Sequence, residues 1–138
     1  MSLYNQEFTI SFGDCDPAGI VYYPNFYRWM DATFHGFLRA RGPGHAALCR
    51  EWGAMGLGLM ETGAKFRAPG VDGDRLVLSV EGIDWSDRSY RVNYAGRVGE
   101  RLLIEGFETR GLFVYREGRL RAESVARVRD LLQGAGAA

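Results

Sequence analysis

The sequence predicts an α+β protein in which one long helix covers an antiparallel sheet. Three observations point to this. After Pro24 the apolar residues recur at helical spacing. After Gly73 the spacing switches to alternation with a period of two, punctuated by turn residues. No linker or internal repeat divides the 138 residues, so a single domain spanning 1–138 is expected, long enough to bury a sizeable core.

Each element has a local reason. Glu7 to Phe12 alternates weakly and reads as a first strand, with Phe8, Ile10 and Phe12 on one face. Gly13 to Gly19 combines glycine, aspartate and proline and reads as a loop. Pro24 suits the first turn of a helix, where a missing N–H costs nothing. Phe26, Trp29, Met30, Thr33, Phe34, Phe37 and Leu38 then form a broad apolar stripe, and Gly42 with Pro43 ends it. Gly36 weakens this helix slightly but permits close packing. His45 to Glu51 suggests a short second helix, and Ala54 to Phe66 a glycine-rich strand. Leu76, Leu78 and Val80 alternate in one strand, and Tyr90, Val92 and Tyr94 in the next. Arg101 to Tyr115 reads as a long strand bent near Gly111, followed by a hairpin turn in YREGRL and a strand from Leu120 to Ser124. Val125, Val128, Leu131 and Leu132 predict a short final helix, and Gly134 to Ala138 a frayed tail.

Composition narrows the function. Lysine plus arginine and aspartate plus glutamate both number 17, which gives no reason to expect nucleic acid as a partner. Cys15 and Cys49 form neither a disulfide scaffold nor a metal motif. No apolar run is long enough for a transmembrane helix, and the opening MSLYNQEFTISF lacks the pattern of a signal peptide. A cytoplasmic protein is the expectation.

The chemistry concentrates in FGDCDPAGIVYYPNFYRW, Phe12 to Trp29. Asp14 and Asp16 alternate in an extended segment, so they point in opposite directions and do not form a carboxylate pair. In one reading both satisfy backbone amides of a turn. In the other, one carboxylate faces a pocket beside the start of the helix. There free N–H groups and the positive end of the helix dipole can polarise a carbonyl oxygen. A carboxylate can attack that carbonyl or activate water against it. The rest of the chain holds no HExxH, no GxSxG, no GxGxxG after a strand and no phosphate-binding lysine loop. His35 lies in the helix and His45 in a loop. Cys15 has no evident histidine partner, so it reads as a small buried side chain rather than a nucleophile.

The stretch FGDCDPAGIVYYPNFYRWMD resembles the active-site segment of the 4-hydroxybenzoyl-CoA thioesterases of the hotdog-fold superfamily. Related acyl-CoA thioesterases of the Tol–Pal system usually carry histidine where Pro24 stands, so the proline favours the hydroxybenzoyl branch. The resemblance implies a highly curved antiparallel sheet around one long helix. It also implies a homodimer, often paired into a homotetramer, with active sites at the dimer interface. It places the catalytic carboxylate on Asp16, as nucleophile or general base, and the carbonyl-polarising amide on Tyr23. Gly19 would allow the backbone turn near substrate, while Tyr22 and Asn25 would shape the pocket or serve core and capping roles. Asp14 reads as structural, and Asp31 as a local ion pair or cap. Trp85 would border the acyl pocket or sit in the core. Arg88, Arg91, Arg119 and Arg121 are candidates for the coenzyme A phosphates.

The implied reaction is hydrolysis of an acyl-CoA substrate, benzoyl or hydroxybenzoyl in type, without metal or other cofactor, coenzyme A being part of the substrate. GPGHAALCREWGAMG, Gly42 to Gly56, does not reproduce the family's acyl-pocket region, so a short aliphatic acyl group is an alternative. Two other readings use the same motif: hydrolysis of an acyl-carrier-protein thioester, and binding of an acyl ligand without turnover. Asp16 argues against the last, because a purely apolar pocket has no use for a carboxylate that is costly to desolvate.

Overall fold

The computed structural model describes residues 1–133, so the expected fraying of the tail lies outside the described residues. The chain order is β1 (Tyr4–Thr9), a 3-10 turn (Phe12–Asp14), α1 (Pro24–Arg41), α2 (His45–Trp52), β2 (Gly56–Phe66), β3 (Arg75–Trp85), β4 (Tyr90–Val98), β5 (Arg101–Arg116), β6 (Arg119–Glu123) and α3 (Ala126–Gln133). The sheet runs β1-β3-β4-β5-β2, every neighbour antiparallel, and β6 pairs with the far end of β5. β2 is an edge strand.

α1 forms where its apolar stripe predicts. Pro24 stands in its first turn, and the Gly42 amide closes the end on the Leu38 carbonyl at 2.9 Å. Phe26, Trp29, Met30, Thr33, Phe34, Phe37 and Leu38 are all buried. They pack against Leu76, Leu78, Val80, Tyr90, Val92, Tyr94, Leu103 and Ile104 from the inner face of the sheet. Gly36 is the close approach: a Cβ there would stand 2.0 Å from Gln6 Oε1. The glycines of β2 have a similar cause. A Cβ on Gly58 or Gly63 would come within 2.8 Å of the Phe113 or Phe107 ring on β5.

The first strand differs from expectation. It covers Tyr4–Thr9 rather than Glu7 to Phe12, and Phe12 is 83% exposed. The Asp14 carboxylate explains the early ending. Its Oδ2 accepts the Ser11 amide at 2.8 Å and the Ser11 hydroxyl at 2.9 Å, which winds Phe12–Asp14 into a turn. The irregularity expected near Gly111 lies one step away: β2 bulges between Leu59 and Glu61, opposite Arg110 and Thr109 of β5. The YREGRL hairpin turns through Glu117 and Gly118, both at positive φ (54° and 75°), as a tight two-residue turn requires. No helix among the described residues is long and apolar enough to cross a membrane.

Candidate active site

The loop before α1 is built by its own backbone. Cys15 and Val21 form an isolated antiparallel bridge. Within it the Asp16 amide donates to the Ile20 carbonyl and the Gly19 amide to the Asp16 carbonyl, each at 2.9 Å. Gly19 takes φ +82°, which a side chain would resist. The Asp16 carboxylate completes the turn, its Oδ1 accepting the Ala18 amide at 2.9 Å. Its Oδ2 has no hydrogen-bond partner among the described residues.

Asp14 and Asn25 fasten this loop to the helix. The Asp14 carbonyl accepts the Tyr22 amide at 2.9 Å and Asn25 Nδ2 at 2.8 Å. Asp14 Oδ1 lies 3.4 Å from Arg28 Nη2. The helical turn begins before Pro24: Tyr23 has φ −55° and ψ −32°, and the Phe26 amide donates to its carbonyl at 3.1 Å. The Tyr23 amide finds no acceptor among the described residues, so it is the leading free donor of α1.

Asp16 and Tyr23 line neighbouring hollows rather than one. A hollow of about 450 Å³ is lined by Phe12, Cys15, Asp16, Gly19, Val71 and Asp72. A second, about 420 Å³ and mostly apolar, is lined by Ile20, Tyr23, Phe26, Phe66, Arg67 and Gly70. Gly19 and Ile20 are consecutive, as are Gly70 and Val71, so the two hollows adjoin along both strands of chain. Tyr22 is 53% exposed beside them and packs edge-on against Tyr23. Burial, with Asp72 and Asp14 adding to it, pushes the Cys15 thiol up and keeps it protonated.

The other candidates stand elsewhere. Trp85 pairs with Tyr90 at the end of the β3–β4 hairpin, rings 5.1 Å apart, and borders neither hollow. Arg88 sits at that hairpin's tip, 3.7 Å from Asp87 and 3.4 Å from the Ala122 carbonyl. Arg91 lies over the Phe107 ring at 3.6 Å, in a separate groove on the outer face of the sheet. Arg119 and Arg121 are exposed on β6 and form no ion pair among the described residues.

A buried ionic cluster was not anticipated. Arg110 and Glu108, 3% and 2% exposed, occupy inward positions of β5. Arg110 Nη2 donates to Glu108 Oε2 at 3.0 Å and to Asp31 Oδ1 at 2.8 Å, and the Tyr94 hydroxyl donates to Glu108 Oε1 at 2.5 Å. Burial pushes the Glu108 carboxyl up while Arg110 pulls it back. Burial opposes the charge of Arg110, but Glu108 and Asp31 outweigh it and hold its pKa above the ordinary value. The signal was present in the sequence: Ile104, Glu108, Arg110 and Leu112 fall on one parity of β5, so the charges had to face inward. Asp31 is indeed an ion-pair residue: His35 Nε2 lies 3.6 Å from its Oδ1 one helical turn on, and its charged partner Arg110 comes from 79 positions away. Among the described residues no cluster of histidine, cysteine and carboxylate side chains could hold a metal ion.

One long helix laid on a curled antiparallel sheet, entered through an acidic loop, is the architecture of the hotdog-fold thioesterases. Over 93% of this chain and 96% of the other, the structure matches the 4-hydroxybenzoyl-CoA thioesterase of Pseudomonas sp. strain CBS-3, with a TM-score of 0.82 and 30% identity. The curated sequence of that name from the same strain is 34% identical over 82 residues, 59% of this chain and 58% of the relative. A gentisyl-coenzyme A thioesterase structure matches with a TM-score of 0.77 and 28% identity, over 91% of this chain and 98% of that one. No protein-family model matches the chain. The chain belongs to the 4-hydroxybenzoyl-CoA thioesterase family of the hotdog-fold superfamily.

Proposed function

We propose that this protein hydrolyses an aromatic acyl-CoA thioester of the benzoyl or hydroxybenzoyl type to the carboxylic acid and free coenzyme A. The observation that carries this reading is the junction of loop and helix, where Asp16 and the unpartnered Tyr23 amide flank the Gly19–Ile20 step. The amide, at the positive end of α1, receives the thioester oxygen and stabilises the negative charge that develops on it. Asp16 acts on the thioester carbon in one of two ways. As nucleophile, a carboxylate oxygen bonds to that carbon, the C–S bond breaks, and the coenzyme A thiolate leaves and takes a proton. Water then cleaves the acyl anhydride and frees Asp16. As general base, Asp16 takes a proton from the attacking water and the same C–S bond breaks.

The relatives support the aromatic class, since their names specify hydroxybenzoyl and gentisyl thioesters. An aspartate-to-asparagine variant of a 4-hydroxybenzoyl-CoA thioesterase was crystallised in complex with 4-hydroxybenzoyl-CoA, which supports a carboxylate mechanism. Gly19, Tyr22 and Asn25 shape the approach to the carbonyl. Arg119 and Arg121, exposed and forming no ion pair among the described residues, are the first candidates to meet the coenzyme A phosphates, with Arg88 and Arg91 as further contacts.

The working unit is a homodimer, paired into a homotetramer, in the cytoplasm. Phe12, Tyr23, Phe66 and Val71 are 83%, 58%, 48% and 42% exposed around the two hollows, and β2 offers one unpaired edge, so a second copy has both apolar surface and strand to cover. The reaction uses no cofactor. The test is a hydrolysis screen against aromatic and aliphatic acyl-CoAs, with Asp16→Asn as the control. Turnover of aromatic thioesters by the wild type alone supports the reading; no turnover of any thioester overturns it.

A further inference from the structure

Arg110 reaches farther than its charge requires. Glu108 alone neutralises it, yet two further bonds leave β5 in different directions. Nη2 donates to Asp31 Oδ1 on α1 at 2.8 Å, and Nη1 donates to the Leu57 carbonyl on β2 at 3.0 Å. The guanidinium lies over the Phe34 ring of α1, 4.2 Å from its centroid. α1 and β2 meet again at the opposite end of their seam, where the Phe66 ring of β2 stands 6.1 Å from Tyr23 and 5.9 Å from Phe26. Between these two contacts β2 is paired with β5 throughout, and Leu59 and Thr62, which share the inner face with their partners Arg110 and Glu108, are exposed on the helix side.

We propose that Arg110 is a positioning residue for thioester hydrolysis: by tying Asp31 to Leu57 it sets α1 against β2, and so the width of the hollow between Tyr23, Phe26 and Phe66. This rests on the thioesterase reading given above. Arg110 touches no reacting atom. Its effect passes along α1 and β2, whose far ends carry the walls of that hollow.

Arg110→Lys separates this role from bulk stability. The lysine keeps a cation beside Glu108, but a single ammonium cannot hold the Asp31 carboxylate and the Leu57 carbonyl together. Assayed well below its melting temperature, R110K is expected to raise KM for 4-hydroxybenzoyl-CoA about tenfold while kcat stays within about threefold. Asp31→Ala should raise KM similarly, and the double variant no further, because both remove one tie. A wild-type KM in folded R110K, or additive effects in the double variant, would overturn the proposal. If the wild type hydrolyses no thioester, the activity reading fails on its own, and hydrogen exchange on the full chain decides the tie. Faster exchange in R110K confined to the start of α1 and to β2, with β3 and β4 unchanged, supports it; unchanged or uniformly faster exchange sinks it.

Discussion

His45 Nε2 accepts the backbone amide of Leu57 at 3.1 Å, which fixes that nitrogen as unprotonated in the folded chain. The His35 ring lies 5.2 Å away, with its Nε2 3.6 Å from Asp31 Oδ1, and Cys49 Sγ lies 3.7 Å from His45 Nε2. Burial holds both imidazoles below their ordinary pKa of 6.5. Arg110 adds to the effect, and the carboxylate of Asp31 opposes it. The unfolded chain therefore binds more protons than the folded one just below pH 6.5. Stability should be fully present above that pH and lost as pH falls toward the folded values. Thermal melts between pH 7.5 and about 5 should show the decline, and His35→Gln with His45→Gln should flatten it. A pH-independent melting temperature in the wild type would refute the assignment.

Asp16→Asn should remove catalysis and leave folding intact. The Asn oxygen can still accept the Ala18 amide that Asp16 Oδ1 accepts at 2.9 Å, so the turn persists. The loss expected for a missing general base or nucleophile is about 10²–10⁴ in kcat or more. Steady-state kinetics beside a melting curve checks both halves.

Asp14→Ala should have the opposite profile. It removes the acceptor of the Ser11 amide and hydroxyl and the partner of Arg28, at a cost of about 1–2 kcal/mol typical of a lost cap. Urea denaturation should register this cost, while kcat of the folded fraction stays close to wild type.

Arg110→Ala leaves Glu108 buried without its cation and should cost about 3–5 kcal/mol. Tyr94→Phe removes one hydrogen bond to the same carboxylate and should cost less, about 1.5–3 kcal/mol. If denaturation ranks the two variants in reverse, the cluster is not organised around the Arg110–Glu108 pair.

Arg119→Ala and Arg121→Ala should each weaken coenzyme A thioesters without affecting a thioester truncated at the pantetheine. KM should rise several-fold, roughly what one exposed charge-assisted contact contributes. Equal effects on the full and truncated substrates would remove these arginines from the phosphate site.

Periodicity made most of the fold legible. The α1 stripe and the inward residues of β3 and β4 were readable because burial on one face leaves a period in the sequence. The first strand was misplaced at its end because the Ser11–Asp14 contact is a side-chain device that hydropathy does not record. The glycines of β2 weakened its strand reading because Phe107 and Phe113, the rings that require them, lie about fifty positions further along the chain.

By itself the sequence determined the α+β plan, the long helix and the acidic loop that leads into it, since each depends on residues close together along the chain. Only the tertiary structure decided that Asp16 and Tyr23 line adjoining hollows, that Asp31 pairs with Arg110, and that Trp85 stands apart from both hollows. Those relations depend on strand register and on how a curled sheet meets its helix. Both are set by the packing of distant residues, and local propensity carries no trace of them.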